Sequence, residues 1–342
     1  MSITIREADL GADGESIANA LRAYLTPRAD QGRFDWLYKR NPHGTVRVWL
    51  ALNGGGQVVG TAAAFPRRLY IAQEEKTAWV FGDFCVADSY RSLGPALELQ
   101  KACLAAADNA RIPFCYDFPS RGMLAIYQRL GLRPSKQMIR LAKPLRLDGE
   151  LGKVFRNRYL VKTLAVPANF VLSVLNNKEF TDGTVTFGLH EGRCGEEFSS
   201  LAREIGGQYG ICVQRSAEYL NWRYLSNPFC RYELLTARRT DNLLGYAVFY
   251  EAGQNATPVD LFGINQKDLI RGLIQSLLEL LRQRGLMVVS VPIIESHLFR
   301  PILEQLGFRV REASPIIVYE PGQSLKPRED LNWFLMHGDR DS

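Results

Sequence analysis

Three residues in the segment FCVADSYRSLGPALELQKACLAAA, residues 84–107, have the types and spacing of an anion-binding turn. An apolar strand ends there, a short polar turn follows, and a long helix begins. The first amides of a helix lack intrahelical partners and lie at the positive end of its dipole, so such a turn can bind phosphate. Gly94 would allow close backbone approach, Ala96 would leave the first turn open, and Arg91 would add positive charge.

The same spacing also fits an ordinary strand-to-helix turn. Pro95 follows the glycine, and proline is favoured at the start of a helix, where its missing N–H would be unpaired in any case. Short glycine motifs occur in many unrelated turns. The spacing alone therefore leaves both interpretations open, and a phosphate site here would have one backbone donor fewer because of Pro95.

Asp83 and Cys85 are further candidates for chemistry in this segment. A carboxylate in an otherwise apolar strand is costly to bury unless it is paired or functional, so Asp83 is a candidate general base, with an outward-facing or ion-paired aspartate as the alternative. Cys85 would need a partnering base to act as a nucleophile, and His43 is the one histidine in this half of the chain. We therefore expect Cys85 to be a small buried apolar side chain.

The composition limits the class of protein. The chain has 342 residues, of which 46% are hydrophobic and 23% charged, which is typical of a soluble globular protein with room for two domains. A net charge of +6 favours an anionic partner without choosing among nucleotides, nucleic acids and acidic membranes. Six cysteines without a Cys-x-x-Cys pair, and an acidic N-terminal segment, predict a cytoplasmic protein. The four histidines lack metal-ligand spacing, so we predict no metal.

A mainly apolar run, YLVKTLAVPANFVLSVL at residues 159–175, bears on membrane association. It is interrupted by Lys162, Pro167 and Asn169 and is shorter than the roughly 20 residues that a membrane span needs. We therefore predict no transmembrane helix. Basic residues just before the run leave a peripheral membrane contact through residues 153–175 open, and a packed connecting helix is the favoured interpretation.

An internal duplication organises the chain. FDWLYKRNP at residues 34–42 and YLNWRYLSNP at residues 219–228 share the motif Trp-x-Tyr-x-x-Asn-Pro. Three further matches follow in the same order: Gly60 with Gly245, Asp83 with Asp260, and Gly131 with Gly307. Collinear matches of this kind indicate one fold used twice, and the recurrence of Asp83 as Asp260 suggests a structural duty shared by both copies.

The repeated tryptophan motif has two interpretations. It is either the lip of a pocket or a helix end stopped by Asn-Pro, with the Trp and Tyr packed on the sheet. Its presence in both halves favours packing.

Each half predicts the same order of elements: a strand, a helix, antiparallel strands, and then a β-helix-β-helix-β unit. This order predicts an α+β fold of three layers, αβα, in which helices flank a mixed, mostly antiparallel sheet. We place one domain at residues 1–145 and a second at residues 183–342, joined by a helical linker over residues 146–182.

A second motif favours a specific interpretation of the anion-binding turn. One strand later the chain reads YQRLGL, which contains Tyr127 and Gly131. Together the motifs resemble the GNAT superfamily of Gcn5-related N-acetyltransferases, in which Arg/Gln-x-x-Gly-x-Gly/Ala begins the helix at the CoA pyrophosphate. The later Tyr-x-x-x-Gly-Phe element of that superfamily is met with Leu132 in place of Phe. The resemblance covers most of residues 1–145 and, more loosely, residues 182–320.

The resemblance implies two tandem GNAT-like folds whose central strands splay apart around the pantetheine arm of acetyl-CoA. The acetyl group would pass directly to an amine in a ternary complex. Because an amine with a pKa of about 10.4 is almost entirely protonated at neutral pH, a base is also expected, and Asp83 is the candidate. The residues expected to bind CoA are Phe84, Cys85, Val86, Arg91, Ser92, Leu93, Gly94 and Ala96.

The resemblance also implies roles for three residues beyond the CoA site. Tyr127 would be the acid that protonates the leaving thiolate, and its alternative is a packing tyrosine at helical spacing from Met123. Ser120 and Arg121, in the loop after the second splayed strand, would face the acceptor.

The second half departs from the motif. Asp268, Arg271 and Leu273 stand at the positions equivalent to Arg91, Gly94 and Ala96. An acid at an anion site and a bulky leucine both oppose phosphate binding. We therefore assign acetyl-CoA to the first half and a structural or substrate-shaping role to a degenerate second copy.

The predicted function is acetyl transfer from acetyl-CoA to the primary amine of a small molecule or amino sugar, without nucleic acid as a partner. Two alternatives stay open. Fem-type aminoacyl-tRNA-dependent ligases also pair two such folds, although their long helical-hairpin arm is not evident in this sequence. The other alternative is a non-catalytic acyl-CoA-binding regulatory protein.

Overall fold

The computed structural model describes residues 3–71, 73–91, 93–146, 183–322 and 332–340. The predicted linker over residues 146–182, except for its first residue, and the membrane contact considered for residues 153–175 lie outside the described residues. Within the described ranges, no helix is both long and apolar enough to cross a membrane.

The N-terminal half alternates strands with helices. Its first elements are strand β1 (Thr4–Glu7), helices α1 (Gly14–Tyr24) and α2 (Gln31–Phe34), a π-helical turn (Asp35–Lys39), and strands β2 (Arg47–Leu52), β3 (Val58–Ile71) and β4 (Glu74–Val86). They are followed by a 3₁₀ turn (Asp88–Tyr90), helix α3 (Leu93–Asn109), strand β5 (Cys115–Asp117), helix α4 (Arg121–Arg129) and strand β6 (Lys136–Pro144).

The C-terminal half follows a similar order. It begins with β7 (Val185–Leu189), α5 (Glu196–Ile205), a 3₁₀ turn (Gly206–Tyr209), β8 (Ile211–Val213), α6 (Ala217–Leu220), a π-helical turn (Asn221–Leu225), β9 (Glu233–Arg239), β10 (Asn242–Ala252) and β11 (Asn255–Gly263). It ends with α7 (Lys267–Gln283), β12 (Val288–Ile294), α8 (Arg300–Gln305), β13 (Arg309–Tyr319), β14 (Trp333–Phe334) and a 3₁₀ turn (His337–Asp339).

One mixed sheet runs through both halves, in the order β1-β2-β3-β4-β5-β13-β6-β12-β11-β10-β9-β7. Pairing is mostly antiparallel, whereas β4 with β5 and β11 with β12 are parallel. Successive residues of β3 face opposite layers: Ala63 packs in the core that contains Ile17 of α1, and Ala64 packs in the core that contains Leu99 of α3. The predicted α+β fold with helices on both faces of a mixed sheet is confirmed.

The two halves exchange strands β6 and β13. Strand β13 of the C-terminal half pairs antiparallel with β5 of the N-terminal half, where Val318 lies opposite Tyr116. Strand β6 of the N-terminal half pairs antiparallel with β12, where Leu141 lies opposite Val291. Because β13 and β6 also pair with each other, the sheet is continuous across the two halves. The predicted domain borders at residues 145 and 183 stay predictions. Each half contributes one strand to the part of the sheet that belongs to the other half.

The repeated tryptophan motif lies where the halves meet. Trp36 and Trp222 stack with their ring centroids 5.5 Å apart. The indole N–H of each donates to the carbonyl oxygen of the other, at 2.8 Å in both directions. Both residues are buried in π-helical turns. This reciprocal contact supports packing over the pocket-lip interpretation.

The matched glycines also occupy corresponding places. A Cβ atom on Gly60 would lie 2.9 Å from the carbonyl oxygen of Cys85, and one on Gly245 would lie 2.9 Å from the carbonyl oxygen of Phe262. Cys85 and Phe262 are as far apart along the chain as Asp83 and Asp260. In each half, therefore, the glycine permits the same close approach of neighbouring strands.

The tryptophan contact generates a stability prediction. Trp222→Phe removes an indole donor and leaves the buried carbonyl oxygen of Trp36 without it, which should lower the free energy of unfolding by about 1–3 kcal/mol. Trp49→Phe is the matched control, because buried Trp49 makes no hydrogen bond through its indole to any described residue. Urea denaturation measures both variants, and equal losses would contradict the importance of the reciprocal hydrogen bonds.

Candidate active site

A cleft of about 560 Å³ opens where strands β4 and β5 diverge. Their pairing extends as far as Val80 and Tyr116. Beyond that point β4 continues to Val86, while β5 ends at Asp117. Beyond Val80, the backbone of β4 therefore faces the cleft without a strand partner on that side among the described residues. The splayed central strands implied by the resemblance are present in the N-terminal half.

A bulge in β4 lies where it leaves β5. The register between β3 and β4 shifts between Thr61 and Ala63, and Asp83 has a φ of 46°. Aspartate adopts this left-handed region more readily than most residues, and the Thr61 hydroxyl donates to the Asp83 carbonyl oxygen at 3.0 Å. Since a bulge bends its strand, this distortion directs β4 away from β5 and helps to form the cleft.

The Asp83 carboxylate is engaged by neighbouring side chains. Arg33 donates to both carboxylate oxygens at 2.6 Å, and the Tyr38 hydroxyl donates to Oδ2 at 2.6 Å. All three residues are buried. Burial and the charge of Asp83 raise the pKa of Tyr38 well above its usual value, so its hydroxyl remains a donor. These contacts support the ion-paired alternative for Asp83, because protonation would disrupt a buried ion pair.

The duplicate position has the same kind of neighbours. Asp260 accepts hydrogen bonds from the Tyr224 hydroxyl at 3.2 Å and from Arg215 Nε at 3.0 Å. Tyr38 and Tyr224 are the tyrosines of the repeated motif. A tyrosine and an arginine therefore hold an aspartate in each half, which supports an anchoring role for Asp83 as well.

Five of the predicted CoA-binding residues line one cleft. They are Phe84, Cys85, Val86, Arg91 and Ala96. Gly94 is exposed in the first turn of α3, which begins at Leu93. Ser92 and the side chain of Leu93 lie outside the described residues. The structure thus brings the strand and the turn of the motif to the same place.

Arg91 and Cys85 differ in their availability within the cleft. Arg91 forms an ion pair with Asp88 at 2.8 Å, and both side chains are largely exposed, so an anionic ligand can compete for the guanidinium. Burial raises the pKa of the Cys85 thiol to about 11. Cys85 therefore stays protonated at neutral pH, in agreement with a packing role.

Tyr127 lies behind the cleft wall. Its buried hydroxyl donates to Asp117 Oδ2 at 2.6 Å, and Asp117 lines the cleft whereas Tyr127 does not. Burial and the charge of Asp117 raise the pKa of Tyr127 well above its usual value. The Tyr127 hydroxyl is therefore connected to the cleft through its hydrogen bond to Asp117. The sequence analysis missed Asp117, although a carboxylate at the end of an apolar strand was a usable signal.

Of the two residues predicted to face the acceptor, one lines the cleft and the other does not. Ser120 lines the cleft and caps α4, since its Oγ accepts a hydrogen bond from the Met123 N–H at 3.2 Å. Arg121 is exposed and does not line the cleft. Arg340, from the end of the chain, does line it, and no local sequence signal connects it with a site more than 200 residues earlier.

Across the described ranges, no group of three or more His, Cys, Asp or Glu side chains could hold a metal ion.

The contacts of Asp83 generate a prediction that separates an anchor from a base. Asp83→Asn keeps the side-chain shape but removes the negative charge from a buried ion pair with Arg33, so the free energy of unfolding should fall by about 3–5 kcal/mol. Asp88→Asn, which removes the partner of exposed Arg91, should cost less than about 1 kcal/mol. Chemical denaturation measures both. A stable Asp83→Asn protein that has lost turnover would instead identify Asp83 as the base.

Comparison with known proteins agrees with this geometry. Residues 4–134 match the family described as an acetyltransferase (GNAT) domain. No curated protein matches the chain. Several solved structures share its fold.

A probable N-acyltransferase from Enterococcus faecalis V583 has a TM-score of 0.67 at 9% identity, with 93% of this chain and 72% of that chain covered. A GCN5-related N-acetyltransferase from Anabaena variabilis has a TM-score of 0.66 at 11% identity, covering 93% and 72%. A putative acetyltransferase from Pyrococcus horikoshii has a TM-score of 0.53 at 13% identity, covering 98% and 95%. Residues 4–134 thus match a GNAT acetyltransferase domain, and the solved structures share the fold over most of the chain.

Proposed function

We propose that this protein transfers an acetyl group from acetyl-CoA to the primary amine of a small molecule or amino sugar. The observation that carries the proposal is the cleft between β4 and β5, which includes both Arg91 and Ala96 at the start of α3. The pantetheine arm would lie along the unpaired side of β4. The pyrophosphate would lie at the first amides of α3, close to Arg91.

The acetyl-CoA site belongs to the N-terminal half in this proposal. In the C-terminal half, Leu273 is fully buried and fills the position equivalent to Ala96. Arg271, equivalent to Gly94, forms a hydrogen bond with Gln305. Leu273 and Arg271 both lie in the second turn of α7, and its first turn, residues 267–270, contains Asp268 and no glycine, which opposes pyrophosphate binding. The C-terminal half instead supplies β13 beside β5 and Arg340 in the cleft wall, which supports a substrate-shaping role.

Direct transfer requires two proton movements. The neutral amine attacks the thioester carbonyl carbon, the C–S bond breaks, the attacking nitrogen gives up a proton, and the thiolate gains one. Asp117 lines the cleft and can accept the amine proton, while the buried Tyr127 hydroxyl would supply the thiolate proton through Asp117, to which it donates. The 2.6 Å hydrogen bond between them allows the proton on Asp117 to restore the Tyr127 hydroxyl. In this scheme Asp83 anchors β4.

The CoA site is tested by titration calorimetry with acetyl-CoA. Gly94→Glu places a bulky acid at the expected pyrophosphate position and should weaken binding at least about 100-fold, because it adds both steric and charge repulsion. Gly55→Glu adds the same side chain to the exposed turn between β2 and β3 and should leave binding unchanged. Equal affinities for the two variants, or no binding by the unaltered protein, would overturn the assignment.

The proton-transfer scheme is tested with Tyr127→Phe. Loss of an acid normally costs about 10²–10⁴-fold in rate, so kcat should fall by that factor while the affinity for acetyl-CoA is retained. Tyr319→Phe is the matched control, because Tyr319 also donates to a carboxylate, that of Asp108, outside the cleft. A thiol-release assay across a panel of amines measures both variants.

The same assay separates the alternatives. A protein that binds acetyl-CoA but acetylates no amine would be a regulatory binding protein. One that uses charged tRNA as its donor would be a Fem-type ligase.

A further inference from the structure

The final described segment, residues 332–340, is held between the two halves and ends at the cleft. Strand β14 pairs in parallel with β8. The buried Asp339 carboxylate accepts hydrogen bonds from Arg215 at 3.0 Å and from the backbone N–H of Met336 at 2.8 Å. The Asp339 carbonyl oxygen accepts a further hydrogen bond from the Tyr116 hydroxyl of β5 at 3.2 Å. These contacts fix the backbone that carries Arg340.

Two buried arginines hold the backbone of Arg340 itself. Its carbonyl oxygen accepts hydrogen bonds from Arg223 Nη2 at 2.9 Å and from Arg67 Nη2 at 3.3 Å. The Arg340 guanidinium lies over the ring of Phe118, 5.3 Å from its centroid. Since Phe118 directly follows β5, the guanidinium is on the β5 side of the cleft, whereas Arg91 and Ala96 follow β4. Arg340 is therefore placed away from the expected pyrophosphate position.

The Arg340 side chain has no acidic partner among the described residues. Its Nε atom is buried and makes no hydrogen bond. The carboxylates that line the cleft are engaged elsewhere, since Asp83 pairs with Arg33 and Asp117 accepts from Tyr127. A partly buried guanidinium without a counter-charge is costly unless a ligand supplies one.

The surroundings of Arg340 add to its positive potential. Arg67 is fully buried and Arg223 is 5% exposed, and each also has a buried nitrogen without a hydrogen-bond partner: Nε of Arg67 and Nη1 of Arg223. The buried carboxylate of the preceding residue, Asp339, is already paired with Arg215. Burial, with smaller contributions from Arg340 and Arg223, lowers the pKa of His337 to about 4. This end of the cleft therefore favours a negatively charged group.

We propose that Arg340 binds an anionic group, a carboxylate or a phosphate, on the acceptor amine. The inference rests on the proposed acetyl transfer and narrows its acceptor to amines that carry such a group. Guanidinium binds both anions through two parallel N–H···O hydrogen bonds, and a fixed backbone lets it orient the ligand as well as attract it. The acceptor nitrogen would then lie towards Asp117, which lines the same cleft.

The test compares acceptors that differ only in charge. An α-amino acid is assayed beside its carboxamide, and phosphoethanolamine beside ethanolamine, with acetyl-CoA as donor. The anionic member of the preferred pair should have a kcat/KM about 10- to 100-fold higher, as expected for a charge-assisted bidentate contact. Whichever pair shows the larger ratio distinguishes a carboxylate ligand from a phosphate ligand.

Three variants test whether Arg340 causes the preference for an anionic acceptor. Arg340→Gln should abolish the ratio while leaving the affinity for acetyl-CoA unchanged, since it retains the backbone carbonyl that Arg67 and Arg223 hold. Arg340→Lys keeps the positive charge but lacks the two parallel N–H donors of the guanidinium, so it should retain part of the kcat/KM ratio. Arg129→Gln, which removes an exposed cation from the far end of α4, should leave the ratio unchanged. Calorimetry of the same amines on CoA-saturated protein should give the same order of affinities.

Each other outcome has a distinct meaning. Turnover with equal or better use of the uncharged amines would overturn the inference and leave acetyl transfer standing. So would an Arg340→Gln variant that slows all acceptors equally, or one that binds acetyl-CoA more weakly, which would assign Arg340 to packing or to CoA. Failure of the unaltered protein to acetylate any amine would instead overturn the proposed function, and the inference with it.

Discussion

The pairing of β13 with β5 is the constraint on which the rest of the structure depends. Strand β5 is short, and it forms one wall of the cleft, so its other edge must be covered if the cleft is to keep its shape. The C-terminal half supplies that cover, and β6 passes in the opposite direction to pair with β12. The C-terminal half, which lacks the CoA motif, therefore helps to form the cleft of the N-terminal half.

The contact between the halves is fixed by directional interactions as well as apolar burial. The reciprocal hydrogen bonds of Trp36 and Trp222 require one relative position of the two π-helical turns. Close by, Arg67 lies over the Trp222 ring and Arg223 lies over the Trp36 ring, at 5.6 and 5.8 Å from the centroids. The same two arginines hold the carbonyl oxygen of Arg340. The interface between the halves thus connects directly to the cleft.

The sequence predicted the features that depend on local residue types. The strand, glycine turn and helix around Gly94 are present, and the matched glycines and tryptophans occupy corresponding places in the two halves. Strand exchange could not be predicted, because β6 and β13 have the same pattern whichever half they complete. The contribution of Arg340 depends on how a distant segment threads between the halves. The ion pair of Asp83 could not be predicted either, since Arg33 lies in helix α2, Asp83 lies in strand β4, and their pairing is a tertiary contact.

The central claim is that one cleft, between β4 and β5, holds acetyl-CoA. A crystal structure of the protein with acetyl-CoA tests it most directly. The account predicts the pantetheine arm along the unpaired side of β4 and the pyrophosphate at the first turn of α3, with the thioester near Asp117. Acetyl-CoA bound at α7 of the C-terminal half, or outside the cleft, would contradict it.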